Sequence, residues 1–220
     1  MGAQRAGWRM ADAQHPLRCG LLISGSGTGM EAMIRAQQAL GLAHQTVVVV
    51  SNKADVEGVG RATNLNVPCA VVEQTIDGVR FTREEHEAKV SAVLEAYDVE
   101  WVVLCGYMRL LSPGFIERWN GKVVNIHPSY LPHFPGAHAH RDVLAAGTTV
   151  TGCTVHLVDE GMDTGPILGQ SMVPVFPDDT ETTLSHRVKV EEHRLYPEIL
   201  TLIASGHPSH QEDEAQPHTD

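Results

Sequence analysis

Asn125-Ile126-His127-Pro128-Ser129 closes an apolar run and leads into Tyr130-Leu131-Pro132-His133-Phe134-Pro135-Gly136. With a strand over residues 122–126, side-chain alternation puts Asn125 and His127 on one face and buries Ile126 opposite. An amide that donates hydrogen bonds beside an imidazole suits the stabilisation of a carbonyl oxyanion. The other reading is a structural histidine capping the strand. The prolines that follow stiffen a loop over the same edge. Downstream, Asp159-Glu160-Gly161-Met162-Asp163-Thr164-Gly165 is an acidic, glycine-flanked turn. It reads either as an Asx turn or as a source of a carboxylate that raises a nearby histidine's pKa and shuttles protons. No Ser or Cys sits in a nucleophile-elbow pattern, and the spacing of His133, His138 and His140 matches no metal motif.

A second constellation lies near the start. Ser24-Gly25-Ser26-Gly27-Thr28-Gly29 follows an apolar run and opens a helical pattern. Such a loop either cradles an anion on free N–H groups or is simply a tight strand-to-helix turn. The dinucleotide fingerprint fails because Met30 stands where its third glycine belongs, and Ser51-Asn52-Lys53 offers no acid for a ribose. No Lys-Ser/Thr pair ends the loop, so a monophosphate suits it better than a nucleoside triphosphate.

These residues need elements to hold them, and the periodicity supplies them. Strands are expected at Leu17–Ile23, Thr46–Val50, Pro68–Val72, Trp101–Leu104, Lys122–Ile126, Thr151–Val158 and Pro166–Val175. Helices are expected over Met30–Leu40, around Val56–Leu65, and over Thr183–Leu202 with Leu184, Val188, Leu195 and Ile199 inward. Another follows the capping box Thr82-Arg83-Glu84-Glu85, with Val90, Val93, Leu94 and Tyr97 on its apolar face. Strands alternating with helices predict an α/β fold, a single-domain, doubly wound, mostly parallel twisted sheet with helices on both faces. In such a sheet the loops 24–29, 106–112 and 127–137 share the carboxyl edge, where ligands bind.

The chain has 220 residues and a formal net charge of −11, from 16 basic and 27 acidic side chains. This charge argues against a nucleic-acid partner and against an anionic membrane surface. At 42% apolar and 20% charged residues, the composition is that of a soluble globular protein. No apolar run approaches the roughly 20 residues of a membrane-spanning helix, and Met1 to His15 reads as no signal peptide. The expected organisation is a disordered extension over 1–16, one domain over 17–205 and a disordered acidic tail over 206–220. Cys19, Cys69, Cys105 and Cys153 are far apart in apolar surroundings, as buried reduced thiols of a cytoplasmic protein would be.

Over residues 17–203 the chain resembles the phosphoribosylglycinamide formyltransferases. The resemblance is carried by Ser24-Gly25-x-Gly27, Ser51-Asn52-Lys53, Gly106-Tyr107-Met108-Arg109-Leu110-Leu111-Ser112 and Asn125-Ile126-His127-Pro128-Ser129 with Leu131-Pro132. Val155-His156, Asp163-x-Gly165, Glu192-His193 and Tyr196-Pro197 complete it. It implies a Rossmann-like formyltransferase fold and direct transfer of the formyl group of 10-formyltetrahydrofolate to the amine of glycinamide ribonucleotide. The transfer passes through a tetrahedral intermediate, as a step of purine biosynthesis, without a metal. By resemblance, Asn125 and protonated His127 hold the oxyanion while Asp163 raises the imidazole's pKa and relays protons. Gly27, Thr28, Gly29 and Glu192 bind the ribonucleotide. Arg83, Met108, Arg109, Leu110, Leu111 and Asn125 take the folate.

The implied partners are these two small molecules, and the implied form is a cytoplasmic monomer or homodimer. Many members carry Asn where this chain has Gly29, so one phosphate contact must come from elsewhere. Tyr107 replaces a commoner Phe, and Tyr130 a commoner Leu. Methionyl-tRNA formyltransferase shares the core but adds a domain and needs a basic surface. Formyltetrahydrofolate hydrolase places a regulatory domain before it, and sugar-nucleotide formyltransferases share the chemistry. A non-catalytic nucleotide-binding module is the reading from outside the enzymes.

Overall fold

A computed structural model of the chain describes residues 8–206. In chain order the elements are β1 (Leu17–Ile23), α1 (Thr28–Leu40), β2 (His44–Ser51), α2 (Glu57–Asn64), β3 (Cys69–Val71), β4 (Thr75–Ile76) and β5 (Val79–Arg80). Then come α3 (Arg83–Ala96), β6 (Trp101–Leu104), α4 (Pro113–Arg118), β7 (Val123–His127), α5 (Ala139–Ala145), β8 (Val150–Leu157), β9 (Ile167–Pro174) and α6 (Glu181–Ala204). Seven strands form one sheet in the order β3-β2-β1-β6-β7-β8-β9. It is parallel from β3 through β7, and antiparallel where β8 joins β7 and β9 joins β8. The mostly parallel, doubly wound sheet expected from the alternation is the observed one.

Strand alternation divides the core in two. Leu21, Ile23, Val49, Val103 and Val124 face α1 and α6, meeting Met30, Met33, Ile34, Leu195 and Ile199. Leu22, Val48, Val50, Val102, Leu104 and Val123 face α3 and α4, meeting Val90, Leu94, Phe115 and Trp119. Each such side chain taken out of water contributes about 1.5–3 kcal/mol. Gly20 stays bare because a Cβ there would stand 2.4 Å from Leu94 Cδ2. The capping box starts α3 as expected: the Glu85 N–H donates to Thr82 Oγ1 at 3.1 Å, and the Thr82 N–H to Glu85 Oε2 at 2.8 Å.

The structure corrects four local expectations. Tyr97 is exposed, not inward, because it sits just past the last turn of α3. Ile126 is half-buried, since it forms part of a cavity wall. The helices α4 and α5 and the β4–β5 hairpin are too short to show a period. Within the expected disordered extension, Trp8, Arg9 and Ala11 are tied to the fold. Trp8 meets Trp101 edge-on with ring centroids 4.6 Å apart, Arg9 Nη2 donates to Glu100 Oε2 at 2.6 Å, and the Ala11 N–H donates to the Ala204 carbonyl. The remaining residues of both expected tails, 1–7 and 207–220, lie outside the described residues. All four cysteines are free thiols, and burial pushes Cys19 and Cys153 up to about 12. Among the described residues no helix is long and apolar enough to cross a membrane.

Candidate active site

The strand β7 ends at the carboxyl edge of the sheet with Asn125, Ile126 and His127. Its antiparallel neighbour β8 sets Asn125 opposite His156 and His127 opposite Thr154. The β8–β9 turn then brings back Asp163, in the left-handed region at φ 57°, which Asp tolerates better than most residues. Three side chains meet on that carboxylate or beside it. His127 Nδ1 lies 3.3 Å from Asp163 Oδ2, and His156 Nε2 lies 3.6 Å from Asp163 Oδ1. Asn125 Nδ2 lies 3.3 Å from His156 Nε2. The Gly136 N–H donates to Asp163 Oδ2 at 2.8 Å, tying the 127–137 loop to the same hub.

Hydrogen bonding assigns the protons. His127 Nε2 is 2.9 Å from the Phe134 carbonyl, which can only accept, so Nε2 carries a hydrogen. His156 Nδ1 is 2.9 Å from the Leu157 carbonyl and carries one for the same reason. His156 Nε2 stands between the Asn125 amide and Asp163 Oδ1, and a second N–H of that amide is left for an incoming oxygen. Neutral His127 presents a bare Nδ1 lone pair to a carboxylate, whereas the imidazolium satisfies both partners.

Burial nevertheless pushes the imidazole of His127 below its ordinary pKa, and the Phe134 carbonyl and Asp163 only partly offset it. Asp163 works upward on this imidazole, as expected, and desolvation is the larger influence. Burial also works upward on the carboxyl of Asp163. The His156 hydrogen bond, the Gly136 amide and the positive potential of both imidazoles outweigh it and hold that carboxyl below the usual range.

Across β7 lies a cavity of about 330 Å³. Ile126 and Pro128 form its floor, and the loop 24–29 forms one wall. Gly27 holds the N-cap of α1 in the left-handed conformation at φ 70° with no side-chain cap, which leaves first-turn amides for an anion. The facing wall carries His140 of α5 and Lys189, Glu192 and His193 of α6. Burial raises the carboxyl of Glu192 to about 7, against the pull of Lys189. Burial lowers His140 and His193, with Lys189 adding to both shifts. Pro197 also lines the cavity.

The loop 106–112 is anchored at three points. The Met108 N–H donates to Ser24 Oγ at 2.9 Å, Arg109 Nη1 to Gln74 Oε1 at 2.7 Å, and the Ser112 N–H to Glu87 Oε1 at 2.9 Å. Between these anchors Met108 and Leu110 stay 75% and 59% exposed, an apolar surface offered outward.

The structure therefore gathers Gly27, Thr28, Gly29, Glu192 and Met108 on one cavity. Asn125, His127 and Asp163 form a linked cluster beside it. Arg83 is exposed on the first turn of α3, and Arg83, Arg109, Leu110 and Leu111 stand outside the cavity walls. Sequence reasoning gave no role to His156, Lys189, His140 or His193. The spacing of Lys189, Glu192, His193 and Tyr196 marks one helical face and could have revealed the α6 wall. His156 becomes visible only through the β7–β8 register. Among the described residues no group of three potential metal ligands assembles.

Residues 17–200 match the formyl transferase family, and the chain belongs to it. Within it, the chain is 37% identical to phosphoribosylglycinamide formyltransferase of Escherichia coli strain K12 over 187 residues, covering 84% of this chain and 86% of that one. It is 47% identical over 190 residues to the chicken (Gallus gallus) trifunctional purine biosynthetic protein adenosine-3, covering 86% of this chain and 19% of that protein. The chain thus spans about a fifth of the length of the trifunctional relatives it matches. Among solved structures, glycinamide ribonucleotide transformylase 1 from Symbiobacterium toebii superposes with a TM-score of 0.83 at 40% identity, over 87% of this chain and 89% of that one.

Proposed function

We propose that this chain transfers the formyl group of 10-formyltetrahydrofolate to the amine of glycinamide ribonucleotide, a step of purine biosynthesis. The observation that carries the reading is the hub at Asp163. One carboxylate touches two imidazoles, with a donor amide at Asn125, beside a cavity walled by the open start of α1. That set can stabilise an oxyanion and move protons without a covalent nucleophile.

In the proposed reaction the amine nitrogen bonds to the formyl carbon, and the bond from that carbon to the folate nitrogen breaks. Asn125 donates its free N–H to the formyl oxygen as negative charge gathers there. Protonated His127 supplies the compensating positive charge. Asp163 holds that imidazolium, accepts the proton the amine loses and passes it to the leaving nitrogen, directly or through water. The α1 amides at Gly27, Thr28 and Gly29, with Lys189, hold the phosphate, and Glu192 takes the ribose hydroxyls. Arg83, Arg109, Met108, Leu110 and Leu111 form the folate side. Under this reading the chain works in the cytoplasm, as a monomer or homodimer, with no metal, nucleic acid or membrane partner.

The test is a spectrophotometric assay with glycinamide ribonucleotide and a 10-formylfolate donor, following the deformylated folate. Ribonucleotide-dependent turnover lost in Asn125→Ala is the expected result. Turnover without ribonucleotide would point to hydrolysis, and no turnover would overturn the acceptor assignment.

A further inference from the structure

The loop that opens α1 has three glycines after Ser24, and they are not equivalent. A Cβ at Gly25 or Gly29 would meet nothing within 4 Å. At Gly27 it would stand 2.8 Å from the Cα of Gly58, a backbone atom that cannot rotate aside. Gly58 belongs to the first turn of α2 and is buried. A Cβ on Gly58 would in turn stand 2.8 Å from the Gly25 carbonyl oxygen and 2.6 Å from Ile23 Cδ1. The Gly58 N–H donates to that same Gly25 carbonyl at 3.2 Å. The helix α2 is also tied to α1 by the ion pair of Arg61 with Glu31. Two glycines from separate elements thus touch backbone to backbone, and the contact sets where the first-turn amides of α1 stand.

We propose that Gly58 is a positioning residue for the acceptor's phosphate: it seats the Gly25–Gly29 loop, and any side chain at 58 displaces that loop. The inference rests on reading the cavity as the phosphate site. Gly58 itself does not line the cavity, so its action runs through Gly25 and Gly27. Gly60, two residues on in the same helix, is the natural control, because a Cβ there meets nothing within 4 Å.

The experiment is steady-state kinetics on Gly58→Ala and Gly60→Ala. Misplacing a binding element by about 1 Å can cost up to about 100-fold, so a rise of about tenfold in KM for the ribonucleotide is expected for Gly58→Ala. Loss of ground-state binding alone leaves kcat and the KM for the folate donor within about twofold of their original values. Gly60→Ala should match the unsubstituted chain. A double variant, Gly58→Ala with Ile23→Val, removes the methyl at Cδ1 but keeps the collision with the Gly25 carbonyl, and it carries the test should Gly58→Ala fail to fold. Its ribonucleotide KM should stay raised.

An unchanged KM in Gly58→Ala, restoration by Ile23→Val, or a parallel loss in kcat and both KM values would overturn the proposal. Titration with inorganic phosphate separates this failure from that of the functional reading. If the unsubstituted chain lacks ribonucleotide-dependent turnover, the activity assignment fails. Weaker phosphate binding in Gly58→Ala but not in Gly60→Ala would still support the seat.

Discussion

The two sides of β7 are built on different principles. On one side, Asn125, His127, His156 and Asp163 hold one another through side-chain contacts of 3.3–3.6 Å, with backbone carbonyls and the Gly136 amide fixing their orientation. On the other side, the cavity wall built by the 24–29 loop consists largely of backbone, set glycine against glycine, facing Lys189 and the histidines of α5 and α6. A reacting centre needs groups aimed before charge develops, so it uses bonded, buried side chains. A site that grips a phosphate needs donors and charge at a set distance, which helix-start amides supply. Substitutions on the first side should therefore act on kcat, and those on the second on KM.

The sharpest way to break that division is His127→Gln. Proton transfer and oxyanion stabilisation contribute about 10²–10⁴-fold, so kcat should fall by that order with the ribonucleotide KM little changed. A large KM effect with intact kcat would erase the distinction. Asp163→Asn should cost about 10²-fold, and its pH profile is more informative than its size. The carboxylate works upward on His127 against burial. Without it the imidazolium gives up its proton at lower pH, so the fall in activity with rising pH should move to lower pH. An unmoved profile would remove Asp163 from the proton pathway.

On the recognition side, Lys189→Ala should raise the ribonucleotide KM about tenfold, the scale of one charge-assisted hydrogen bond, and reduce its salt dependence. The smallest effect is on stability. The carboxyl of Glu192 is raised from 4.5 to about 7. Between those pH values the folded chain keeps a proton that the unfolded chain releases, so stability falls as pH rises through this window. Glu192→Gln removes that penalty. Its Tm at pH 8 should exceed that of the parent chain by a few degrees, with the advantage gone near pH 4. A Tm difference independent of pH would deny the raised carboxyl.

Much of this was legible in the residues. Leu17–Ile23 follows from a continuous apolar run, the capping box from Thr82 and Glu85 three residues apart, and the inward face of α6 from the period of 3.6. Asn125, His127, Asp163 and the glycine loop were legible as candidates by type and spacing, and the structure brings the first three together. The role of His156 was not, because it depends on which residue β8 sets opposite Asn125. Gly58 was not either, because a glycine in a helix looks like any other until the element it touches is known.

The sequence by itself determined the types of the longer elements, the alternating core and the chemical identity of the groups at the strand ends, since those depend on local propensity and periodicity. Only the tertiary structure decided three further matters. These are the pairing of Asn125 with His156, the net direction of the His127 shift and the contact of Gly58 with Gly27. Each is set by distance and desolvation between segments far apart in the chain, and neither quantity is encoded in any local stretch of residues.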